Sequence, residues 1–204
     1  MNRAITAGII LLGILAETAL AAAKPAPPNV VLIISDDQAW TDYGFMGHPH
    51  VATPHLDRLA AASLTFERGY TPVPLCRPSL SSIVTGLYPH QHGVTGNDPA
   101  LPDEGVNAMA ARGNPKYARY YQTIITNFVK RPNLVRDLVS RGYVALQTGK
   151  WWEGNPIKTA GFTHAMTVGE GKGDRRDGAG LAIGRQGLEP IFNFIEQAGD
   201  KPFF

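Results

Sequence analysis

The sequence predicts an α/β fold in which a mainly parallel central sheet is sandwiched by helices. Three observations carry this expectation. Residues 29–35 (Asn-Val-Val-Leu-Ile-Ile-Ser) form an unbroken β-branched and leucine run, the pattern of a strand covered on both faces. Residues 133–141 read as a capped amphipathic helix closed by Gly142, with a strand over residues 143–147 after it, a βα-type alternation. Lys201-Pro202-Phe203-Phe204 then reads as the opening of another buried strand, so the fold is expected to be incomplete at its C-terminal end.

Composition narrows the function. With 44% apolar and 18% charged residues, the 204-residue chain can bury a sizeable core and is not of the disordered class. A formal net charge of +2, without a basic run or an aromatic-basic stripe, argues against a nucleic-acid partner. Sixteen prolines and 22 glycines point to long loops, where sites are commonly built over a rigid scaffold.

Residues 1–23 read as a secretory signal peptide. Arg3 supplies the positive start, residues 9–16 the apolar stretch, and Ala19-Leu20-Ala21 or Ala21-Ala22-Ala23 the small-residue cleavage site. The apolar run is short for a membrane span and Glu17 interrupts it, although an uncleaved anchor is the other reading. Residues 24–204 are then one exported unit, with no stable membrane insertion after cleavage and a proline-rich lead-in. Export would leave Cys76, the only cysteine, in an oxidising compartment without a partner in this chain, which marks it as a reactive or modified group.

The first strand ends in Asp36-Asp37. Ligand sites in open α/β sheets lie at this edge, and two adjacent carboxylates there call for a cation or donors; a solvated turn is the other local reading. His48, His50 and His55 follow in a loop, broken by Pro49 and Pro54, and match no metal-ligand spacing. Thr53-Pro54 opens a helix, with Thr53 as cap and Leu56, Leu59 and Ala60 facing inward. A short strand is expected at residues 64–66 and a loop over 69–75.

Next comes Cys76-Arg77-Pro78-Ser79-Leu80-Ser81-Ser82-Ile83-Val84-Thr85-Gly86. Pro78 suits a first helical turn, Thr85-Gly86 ends the helix, and Cys76 falls at or just before its N-terminus, where the macrodipole favours an anion. A free cysteine buried as a small hydrophobe is the bland alternative. His90 and His92 follow within a segment expected to support this helix. Residues 98–132 are the least informative: an excursion around 109–116, then a helix over 117–129 with Tyr120, Tyr121, Ile124, Ile125 and Phe128 as a core stripe. In the helix over 133–141, Leu134, Val135, Leu138 and Val139 should face inward. The strand after it runs into Thr148-Gly149-Lys150-Trp151-Trp152-Glu153, whose lysine is a natural anchor for an oxyanion or an ordinary surface charge. The glycine-rich stretch 169–187 lacks the order of a phosphate loop, and a helix over 187–198 places Ile191, Phe194 and Ile195 inward.

Cys-x-Pro-Ser followed, after five intervening residues, by Thr-Gly resembles the sulfatase signature, and Asp36-Asp37, the Thr-Pro-His-Leu-Asp stretch and Gly149-Lys150-Trp151 are similar to further sulfatase motifs. The resemblance implies an alkaline-phosphatase-like scaffold, of which this chain is the N-terminal part. It implies that a maturation enzyme converts Cys76 to formylglycine, the nucleophile. It implies further that Asp36 and Asp37, together with residue 76, bind Ca²⁺ or Mg²⁺, calcium being preferred for its larger coordination, and that Lys150 holds the sulfate group. The substrate class is then a sulfate ester of a sugar or small alcohol. Two departures stand out: Leu80 occupies the position of the family's usual arginine, and Trp152 that of its usual histidine. Arg77 is no obvious replacement, since a one-residue offset points to a different side of a helix. The family's second metal-binding pair and further active-site groups lie later than Phe204, so this chain alone is expected to have little or no activity. A phosphomonoester or phosphodiester hydrolase on the same scaffold, and a non-catalytic anion- or glycan-binding relative, are the alternatives.

Overall fold

A computed structural model describes residues 25–99, 114–167, 183 and 186–204. The expectations for residues 1–23, for the excursion up to residue 113 and for most of 169–187 lie outside these residues.

The described helices are α1 (Pro54–Ala61), α2 (Cys76–Thr85), α3 (Pro89–His92), α4 (Pro115–Val129), α5 (Leu134–Ser140), α6 (Pro156–Ala160) and α7 (Glu189–Ala198); the strands are β1 (Leu146–Gln147) and β2 (His164–Ala165). Local chemistry explains most boundaries. Asn114, Asn133 and Asn155 each accept a backbone N–H of the following turn and so start α4, α5 and α6. Gly86, at φ 69°, turns the chain out of α2 by a left-handed step that a side chain would resist.

The sheet is parallel where it is seen. β1 pairs with β2 in the register Leu146–His164 and Gln147–Ala165. On the other side Val144 bridges Phe203 in parallel, with Val144 N donating to Pro202 O at 2.9 Å and Leu146 N to Phe204 O at 2.8 Å. Beyond Phe203 lies the segment expected as the first strand. Val30 N donates to Phe203 O at 2.9 Å and Phe203 N to the Asn29 side chain at 3.1 Å. Residues 29–35 are therefore extended and beside the sheet, but one backbone bond is too few for a ladder, and Val31 and Ile33 are exposed. The expected cover on both faces is absent among the described residues.

The core lies between the sheet, α4, α5 and α6: Val94, Phe128, Val135, Ala145, Trp151, Ala160 and Phe162. Phe128, Trp151 and Phe162 meet edge to face, with ring centres 5.9 and 5.8 Å apart, a favoured aromatic geometry. Phe204 stacks at the far end on Phe162.

Several sequence expectations are corrected. Leu56 and Leu59 of α1 are exposed, as are Leu64 and Phe66, and residues 64–66 form no strand, because nothing among the described residues packs on that side. Tyr120 and Leu134 are likewise exposed; the buried faces of α4 and α5 run through Tyr117, Ile125 and Phe128, and through Val135. Thr53 caps α1 by position only: its hydroxyl donates to Asp57 at 2.6 Å and accepts from Gly44 N at 2.8 Å, tying the helix to the preceding loop.

Candidate active site

Cys76 is the first residue of α2, and its helix is anchored from several sides. Arg77 N donates to the Asn97 side chain at 2.8 Å, Ser79 meets the Thr71 hydroxyl at 2.9 Å, and Ser82 meets His92 Nε2 at 3.0 Å. His92 is fully buried and its Nδ1 accepts from Val94 N, so the ring is the neutral tautomer that donates from Nε2 to Ser82. Burial lowers its pKa, joined by the positive charge of Arg131 and by His90, against a raising contribution from Glu153. His90 is exposed and stacks on Tyr88.

Asp36 and Asp37 stand where the extended segment ends. Asp37 has φ 52°, the only positive value for a non-glycine among the described residues, a conformation that aspartate tolerates better than most side chains. One ligand atom each from Asp36, Asp37 and Cys76 lie within 4.8 Å of one another, and Cys76 Sγ donates to Asp36 Oδ1 at 3.6 Å. From the opposite direction Lys150 Nζ donates to Asp36 Oδ2. Lys150 follows β1 through Gly149, at φ 78°, and the buried Gln147 side chain holds this turn by donating to Thr148 O and Gly149 O at 3.0 and 3.1 Å.

The structure thus brings together Asp36, Asp37, Cys76 and Lys150, the four residues singled out from the sequence. It does not bring in His48, His50 or His55: His48 Nδ1 accepts the amides of His50 and Val51, and His55 pairs with Arg58. The donor set suits a hard cation on one side, with two carboxylates presenting oxygens beside residue 76. A cation that takes six or more oxygens needs further ligands than these.

Sequence reasoning missed the group beneath Cys76. Arg77 is 1% exposed and grips Glu153 at two points, Nε to Oε1 at 2.7 Å and Nη2 to Oε2 at 2.8 Å. Ser81 adds a third bond to Glu153, and the guanidinium lies over the Tyr121 ring, 4.4 Å from its centre. Burial acts to lower the pKa of Arg77, but the bonds and charge of Glu153, helped by Tyr121 and Tyr117, outweigh it and the net shift is upward. Glu153 was legible only as a carboxylate following two tryptophans; nothing in its spacing names Arg77 as partner.

The chain is similar in sequence to several sulfatases. N-acetylgalactosamine-6-sulfatase of Rattus norvegicus is 33% identical over 156 residues, covering 76% of this chain and 27% of that protein. Arylsulfatase A of Homo sapiens is 35% identical over 61% of this chain and 21% of its own length. An ulvan-active sulfatase of Formosa agariphila is 40% identical over 81 residues, 40% of this chain and 16% of that protein. The chain spans about a quarter of the length of the first of these relatives. The family profile described as Sulfatase matches residues 28–204, nearly the whole chain, and on that match the chain belongs to the sulfatase family.

Proposed function

We propose that this chain is the N-terminal part of an exported sulfuric ester hydrolase acting on sulfate esters of a sugar or small alcohol. Cys76 is the residue matured to formylglycine by a separate enzyme, and Asp36 and Asp37 hold a divalent cation, calcium or magnesium. The observation that carries this reading is convergence. Lys150 and Asp36, 114 positions apart, meet beside Cys76, which itself reaches Asp36 across 40 positions. Two of the relatives carry a carbohydrate in their names, which favours a sugar sulfate.

When present, the formylglycine supplies the oxygen nucleophile and the cation supplies positive charge for the sulfate oxygens. The chain's own residues orient and neutralise. Asp36 and Asp37 face residue 76 from the end of the extended segment, and α2 adds the positive end of its dipole at the same place. Lys150, partly exposed and held by Asp36, can reach an anion entering from solvent and stabilise charge that develops on the transferring group.

The test is a peptide mass map of the protein secreted by its native cells, combined with its turnover of an aryl sulfate and an aryl phosphate. An aldehyde mass on the Cys76 peptide with preferential sulfate release supports the reading. Preference for the phosphate would reassign the protein to phosphoester hydrolysis. An unmodified thiol throughout would remove the formylglycine mechanism and leave a binding protein.

A further inference from the structure

The geometry points to Arg77 and Glu153 as a positioning clamp for the anion site, holding the helix that carries Cys76 to the loop that carries Lys150. This inference rests on the sulfatase reading for what is positioned, but its own evidence is independent. Arg77 is the residue after Cys76, and Glu153 lies three residues after Lys150. Their two-point contact is a rigid planar fork, and both side chains are almost wholly buried, at 0% and 4% exposure. Neither charged group is open to solvent, and each is engaged by the other. The clamp therefore acts through its neighbours, by fixing how far the first turn of α2 stands from the turn at Gly149-Lys150.

A second observation sharpens the assignment. The two positions where this chain departs from the family motifs, Leu80 and Trp152, line the same small cavity as Arg77 and Glu153. The departures are thus neighbours in space, 72 residues apart in sequence. The cavity is otherwise lined by Leu80, Phe128, Trp151, Trp152 and Ser81, so its charge is confined to the Arg77–Glu153 pair. The surrounding groups are all committed to the same contact. Ser81 bonds Glu153, Asn97 takes both the amide and, at 3.3 Å, Nη1 of Arg77, and Tyr121 covers the guanidinium while its hydroxyl donates to Trp152 O at 2.8 Å. The pair thus fastens the nucleophile helix, α4 and the lysine loop at one point.

The experiment uses the full-length secreted protein and the double variant Arg77→Met/Glu153→Leu, which removes both charges and fills their space with apolar atoms, an exchange that buried pairs often accept without loss of stability. Two readouts are followed besides the melting temperature. The first is kcat and KM on an aryl sulfate. The second is the rate at which Lys150 is acylated by an amine-reactive ester, read by mass spectrometry against Lys201 on the same molecule. The clamp predicts kcat lower by about 10- to 100-fold, since misplacement near 1 Å costs that much, together with faster Lys150 labelling at an unchanged melting temperature. Retention of wild-type kcat and wild-type labelling in a stably folded double variant would overturn it. A wild-type protein inactive on sulfate esters would count against the sulfatase reading alone; Lys150 labelling would still decide the clamp, faster in the variant supporting it and unchanged refuting it. Where the double variant is not secreted, Arg77→Lys serves, because it keeps the charge and loses the two-point geometry: faster Lys150 labelling supports the clamp and unchanged labelling overturns it.

Discussion

Replacing Lys150 by methionine should separate activity from stability. The Lys150–Asp36 pair is 26% and 47% exposed, so water screens it and the fold should lose no more than about 1 kcal/mol, a shift of a few degrees at most in melting temperature. The stem of the side chain is conserved in volume by methionine, so no cavity opens. The catalytic cost is of another order. Removing one preorganised donor to a developing oxyanion costs about 10²–10³ in kcat, or roughly 2.7–4 kcal/mol. Full-length Lys150→Met, checked for conversion of Cys76 by peptide mass, would be assayed on an aryl sulfate beside its thermal melt. A fall in kcat of less than about fivefold would refute the role, since that is under 1 kcal/mol and indistinguishable from losing a surface charge. A collapse of the melting temperature would refute the reasoning in another way, by showing the lysine to be a structural group.

Glu153→Ala should behave in the opposite manner, destabilising the protein by about 3–5 kcal/mol because it strands a guanidinium that is 1% exposed; denaturant unfolding would read this. Asp37→Asn, which keeps shape and removes charge, should weaken calcium or magnesium binding and leave folding intact, as calorimetric titration of the purified protein would show. The stability contribution of His92 should be full above its ordinary pKa of 6.5 and be lost as pH falls below that value. The sign follows from burial: the folded ring resists the proton that the unfolded chain accepts, and protonation would also set an N–H against Val94 N. Denaturation midpoints on the two sides of that pH should differ, and His92→Gln should flatten the difference.

What could be read in the sequence was local. Pro78 and Gly86 mark the ends of α2, Asn133 and Gly142 those of α5, and the chemistry-bearing residues announce themselves by type and by motif. What could not be read depended on which surface meets which. The apolar run 29–35 has the composition of a central strand, yet composition does not supply a neighbour, and among the described residues only Val30 of this run finds a backbone partner, at Phe203. The leucines of α1 follow helical spacing equally well and are exposed for the same reason. Tyr120, read as part of the core stripe of α4, is exposed, whereas Tyr117 is buried with its ring on Tyr121 and its hydroxyl donating to Asp98 at 2.6 Å, partners that helical spacing does not name. The sequence reading that Arg77 points to a different side of α2 from position 80 is corrected by the structure: the two are three residues apart, share a helix face and line one cavity. What occupies Arg77 is Glu153, 76 residues ahead, a distance at which sequence spacing carries no information.

The parallel bridge between Val144 and Phe203 has a consequence for how the protein folds. Phe203 lies between the Val144 strand and Asn29, whose side chain it meets across 174 positions, so the described part of this sheet is held together by contacts of long sequence separation. Closing so long a loop is entropically slow, and local units such as α2 with α3 can form well before it. The docking of Phe203 is therefore expected among the last events of folding, and it ties the segment that ends in Asp36 to the Val144 strand.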